Sequence, residues 1–146
     1  MYCNRYECDP CDYSQKIQKE LNIFKAKLRG GNEVPPNNSS ANGTLIALLS
    51  ENNQRLDFIL HTNGLTNITG AHFHDAPRGV NGPIVKDIDI NFTTGNAIGS
   101  WTSTDSTRPL TATLVNKLKR GDLYVNVHTD GFPGGEIRAQ VYKIRK

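Results

Sequence analysis

Short runs in which every second residue is apolar dominate the chain from about residue 22 onward. Phe24, Ala26 and Leu28 alternate with Lys25 and Lys27. Leu56, Phe58 and Leu60 share one phase, and Leu123, Val125 and Val127 alternate with Tyr124, Asn126 and His128. A repeat of two is the signature of a strand with one face in a core. The pattern predicts strands near 22–29, 44–50, 55–62, 84–90, 97–104, 123–128 and 136–144, with one more carrying His72 and His74. A single helix interrupts them: Thr111 is placed to cap it, Leu114 and Leu118 share a face, and Lys117, Lys119 and Arg120 precede a Gly121 stop. Pro77, Gly79, Asn81-Gly82 and Pro83 predict a stiff loop able to fold back over the histidines. Asp130, Gly131, Pro133, Gly134 and Gly135 predict a tight turn. Seven or eight short strands with turn-rich links predict an all-β fold, an antiparallel Greek-key sandwich or barrel with one short helix near 111–120.

A length of 146 residues allows one full core. The expected division is a β domain over 22–146 preceded by an arm over 1–21. That arm holds all three cysteines, Cys3, Cys8 and Cys11, so the domain carries no internal disulfide. Zinc binding by the three thiols would need a fourth ligand, and no histidine lies nearby. An odd count in a leading tail instead suits disulfides between chains. The net charge of +3 is spread without a basic stripe interleaved with aromatics, which argues against a nucleic-acid partner. No apolar run is long enough to span a bilayer, and no secretory signal is recognisable at the N-terminus.

Three of the four histidines draw attention by position. His72 and His74 lie two apart in TGAHFHD, so both leave the same face of a strand, opposite Ala71 and Phe73. His128 is likewise out of phase with Val125 and Val127. Three neutral imidazoles suit copper, and a site with an open position could pass between Cu(I) and Cu(II). His61 is a further candidate ligand from another strand. The alternative is that the histidines clasp the 75–83 loop to the sheet, with Asp75 or Arg78 as partners.

FKAKLRGGNEVPP, GLTNITGAHFHDAPRGVNGPIV and LKRGDLYVNVHTDGFPGGEIRAQV occur in that order. Together they resemble the CHRD (chordin-type) domain from about Phe24 to Val141, with Asp75 where the common family pattern has glycine. There is a more distant likeness to copper/zinc superoxide dismutase, which implies that fold, His72, His74 and His128 as copper ligands, and Arg138 as an anion-guiding arginine. The sequence lacks a bridging histidine after His74, a zinc-ligand set and a cysteine pair inside the domain, so a full dismutase is not expected. A cysteine-bearing arm ahead of a β domain is similar in layout to subunits of bacterial endospore appendages. The reading that follows is a non-enzymatic structural subunit without cofactor. It self-assembles into a fibre or surface layer through its arm and through disulfides at Cys3, Cys8 and Cys11, outside the cell or on a spore or cell surface. The alternative is a copper-binding redox protein.

Overall fold

Phe24, Ala26 and Leu28 point inward from strand β1 (Asn22–Arg29), as their phase requires, and their polar neighbours point out. The same alternation builds β2 (Asn42–Leu49) and β3 (Arg55–Asn63); β4 (Ile68–Asp75), β5 (Ile84–Ile88), β6 (Asn96–Thr102), β7 (Leu123–Thr129) and β8 (Phe132–Gln140) follow, with β7 and the second half of β8 buried on both faces. A two-residue strand, β9 (Tyr142–Lys143), follows. The structure is a computed structural model that describes residues 22–145; the predicted arm and its three cysteines lie outside the described residues.

The strands form one antiparallel sheet in the order β5-β4-β7-β8-β1-β2-β3-β6, with β9 added to β1. Neighbours that are far apart in sequence, β4 beside β7 and β3 beside β6, are the Greek-key crossings. The sheet curls into a nearly closed barrel. Phe73 on β4 lies 5.3 Å, centroid to centroid, from Phe58 on β3 and 5.4 Å from Trp101 on β6, so opposite stretches of the sheet share one core. Trp101 is fully buried, and its indole N–H donates to the Arg108 carbonyl at 2.7 Å, which meets its one polar need.

Helix α1 (Ala112–Arg120) begins where Thr111 Oγ1 accepts from the Leu114 N–H and ends at Gly121, whose φ of +81° is the left-handed stop that glycine adopts most easily. Val115 and Leu118 bury its inner face, with Leu114 only partly covered. Its Lys117 Nζ reaches both carboxylate oxygens of Asp75, at 2.9 and 2.6 Å, and ties the helix to the end of β4.

Most strand ends shift by one or two residues, the expected 84–90 and 97–104 becoming 84–88 and 96–102, and two boundaries differ in kind. Asp130 and Gly131 alone connect β7 to β8, because Thr129 already pairs with Phe132, so Pro133, Gly134 and Gly135 belong to the strand. The expected last strand over 136–144 is split into β8 and β9 at buried Val141. No helix among the described residues is long and apolar enough to cross a membrane.

Candidate metal centre

On the outside of the barrel, β4 and β7 present a second buried layer. Across their ladder Asn126 faces His72, Tyr124 faces His74, and His128 faces Gly70. Gly70 has no side chain, so the nearest imidazole to His128 is the diagonal one. His72 Nδ1 and His128 Nε2 lie 3.1 Å apart. One nitrogen from each of His72, His74 and His128 falls within 4.8 Å of the others.

The 76–83 loop covers this layer. His74 Nδ1 donates to the Gly82 carbonyl at 2.9 Å, and the Gly82 N–H donates to Tyr124 Oη at 3.1 Å. Any side chain at Gly82 would place its Cβ about 2.0 Å from the Asp75 carbonyl oxygen, so only glycine permits this closure. Arg138 Nη2 donates to the Val80 carbonyl at 2.7 Å and Nη1 to Asn81 Oδ1 at 2.9 Å, while Gln140 Nε2 donates to the Ala76 carbonyl at 3.0 Å. His74, Tyr124 and Arg138 form a stack: the two rings are 4.6 Å apart and parallel to within 3°, and the guanidinium lies 3.5 Å from the Tyr124 centroid.

The second nitrogen of each histidine faces an oxygen. His74 Nδ1 has Gly82, His128 Nδ1 has the Pro133 carbonyl at 2.8 Å, and His72 Nε2 has Asp87 Oδ1 at 3.7 Å. The Gly82 and Pro133 carbonyls fix His74 and His128 as Nδ1–H tautomers, so His72 Nδ1–H donates to His128 Nε2; for His72 Nδ1, His74 Nε2 and His128 Nε2 to face one ion, the His72 proton must pass to Nε2, beside Asp87. Burial pushes the His72 pKa down to about 4, repulsion from His128 and His74 adds to this, and Asp87 opposes it. Burial also lowers His74, against the pull of its bonds to Gly82 and Asn126. Both rings are therefore neutral at pH 7, the form that binds metal.

Behind the trio stands Glu33, whose carboxyl is pushed up to about 7 by burial against the opposing pull of Arg138 and Asn126. Its Oε1 has no hydrogen-bond partner. Gly135, at φ +123°, lets Glu33 and Asn126 approach, since a Cβ there would meet both within 2.7 Å. Asn126 bridges onward to His74 Nε2 at 2.9 Å. A neutral His74 that donates from Nδ1 keeps a lone pair on Nε2, so the amide must turn its NH2 toward it or a cation must take it.

A comparison with protein-family models matches residues 24–141 to the CHRD domain. The chain belongs to the CHRD family. No curated protein and no solved structure matches it. In this CHRD domain the three expected histidines come together, but His61 does not join them: it lies on β3, hydrogen-bonded to Asn96 Oδ1 at 2.6 Å, five strands along the sheet from β4. The loop does clasp the sheet, although not through the expected partners, since Asp75 is taken by Lys117 and Gly82 supplies the acceptor. Arg138, expected to guide an anion, is buried with its guanidinium engaged by the loop. Sequence reasoning missed Tyr124 and Asn126, which share the phase of His128, and Glu33, which lies in the FKAKLRGGNEVPP segment but in a stretch whose periodicity does not mark it as part of a site.

Proposed function

We propose that this CHRD domain binds one transition-metal ion, copper by preference, through His72, His74 and His128. The observation that carries the reading is the 3.1 Å separation of His72 Nδ1 and His128 Nε2 with outward oxygens on the other nitrogens. Two imidazoles on one tetrahedral ion, with bonds of about 2.0–2.1 Å, stand roughly 3.3 Å apart. The donor set as a whole spans up to 4.8 Å, so the widest pair must close by about 1.5 Å on loading, shared between its rings. Three imidazoles accept several divalent metals, and copper binds nitrogen sites most tightly among them. Bound copper would supply one-electron chemistry. The protein supplies His72 and His74 as neutral ligands, tautomers of His74 and His128 fixed by backbone carbonyls, and a covering loop.

Titration of metal-free protein with Cu(II) and with Zn(II), followed by calorimetry and electron paramagnetic resonance, tests this. One copper per chain is expected, with imidazole nitrogen couplings, held more tightly than zinc. Losing an outer partner of a ligand costs about 10–100-fold in affinity, so His72→Ala with His74→Ala should cost more than about 100-fold. Equal copper in variant and parent would remove the site.

A second reading, self-association as a structural subunit, is favoured by the outer face of β2, β3 and β6. Ile46 pairs with Ile59 and Ile59 with Ile98 across the three strands, and Ile59 and Ile98 are 56% and 83% exposed. Beside them Arg55 and Asp57 neutralise one another at 2.8 Å, so two copies of this face meet without like-charge repulsion. Disulfides through Cys3, Cys8 and Cys11 would lock such contacts. Light scattering should give an assembly larger than one chain that Ile59→Lys with Ile98→Lys reduces to monomer, and non-reducing electrophoresis a ladder that collapses on reduction. A monomer in both measurements would end this reading.

A further inference from the structure

Strands β1 and β8 pair only where Arg29 meets Arg138, and β1 is next bridged by β9 at Phe24 and Lys25. Between those contacts the strands part, and a groove of about 550 Å³ opens onto the surface. Lys25, Lys27, Arg29, Arg78 and Lys143 line it, with buried Arg138 in its wall. Among the described residues none of those first five lies within ion-pair distance of a carboxylate, whereas Arg55, Lys86, Arg108, Lys117 and Arg120 elsewhere are each paired. The one acid in the lining is Glu33, which is itself buried. Like charges gathered around a concave surface repel one another and concentrate counter-ions of the opposite sign.

We propose that this groove binds a soluble linear oligophosphate. The volume suits a ligand of several groups rather than a single ion. Phosphate units in a chain carry the most negative charge per volume, and they match both the forked guanidinium groups of Arg29 and Arg78 and the point charges of the lysines. None of the histidine trio lines the groove, although Arg78 and Gly79 of the covering loop and Glu33 and Arg138 do.

Calorimetric titration of the full chain with inorganic tripolyphosphate at low salt tests the assignment. One tripolyphosphate per chain is expected, bound at least tenfold more tightly than orthophosphate. The exposed pair Lys27→Glu with Arg78→Glu should weaken it at least tenfold, and the helix pair Lys119→Glu with Arg120→Glu should change it less than twofold. Thermal melts that match the parent would establish that both variants are folded. Absence of binding, equal losses in the two variants, or a sulfated tetrasaccharide binding tenfold more tightly than tripolyphosphate would each overturn the proposal.

Discussion

Arg138→Ala is expected to destabilise the folded chain by about 3–5 kcal/mol, the range seen when a buried charge network loses one member. The guanidinium does three things at once. It lies on the face of Tyr124, a contact on the order of 1–2 kcal/mol when desolvated. It donates two charge-assisted bonds to Val80 and Asn81, each on the order of 1.5–3 kcal/mol, which hold the 76–83 loop down. It also opposes the rise of the Glu33 pKa, so its removal leaves that carboxyl still more reluctant to ionise. Urea unfolding read by tryptophan fluorescence should show the lower midpoint. A melting temperature about 10–15 °C below the parent would correspond to the same loss in a chain of this size. A loss below about 1 kcal/mol would mean that the loop is held without the arginine.

The second large effect is a pH dependence that the intact metal-free protein conceals. Glu33 is raised from 4.5 to about 7 on folding, so its contribution is complete below pH 4.5 and is lost as pH rises through 7. His72 is lowered from 6.5 to about 4, so its contribution is complete above pH 6.5 and is lost as pH falls through 4. Each shift is worth about 3 kcal/mol, and between pH 4.5 and 6.5 the two run in opposite directions. His74 adds to the histidine side. Asp57, held low first by its bond from Ser100, and Asp105, held low first by the Arg108 N–H, act below this window. Denaturant titrations across pH should therefore fall only gently toward acid for the parent, by the part that His74 adds. Glu33→Gln should lose about 3 kcal/mol between pH 7 and pH 4, and His72→Gln should gain about as much between pH 7.5 and pH 4.5. Parallel profiles for both variants would refute the opposition.

The core face of each strand was legible because burial there follows a local period of two: Leu56, Phe58 and Leu60, or Leu123, Val125 and Val127, declare it unaided. The outer face was not. His74, Asn126, Arg138 and Gln140 have the phase of surface residues yet are buried, because the 76–83 loop and the turn that carries Glu33 come back over them. His61 shows the same limit from the other side. Its phase is that of His72, and only the strand order, a matter of pairings across the whole chain, separates the two. Pro133, Gly134 and Gly135 have the composition of a turn, but they serve within β8, where the Pro133 carbonyl aims His128 and Gly135 makes room for Glu33.

Because His72 and His128 stand 56 residues apart, the order of synthesis matters. A growing chain that has reached the helix already holds two imidazoles, on β4, and has nothing yet to set beside them. The third arrives with β7, and the carbonyl that orients it arrives later still, with β8. An ion held by all three would therefore meet a finished barrel. Under the proposed function, loading of the full site would follow completion of β8, and a chain cut short before residue 123 would carry two of the three ligands.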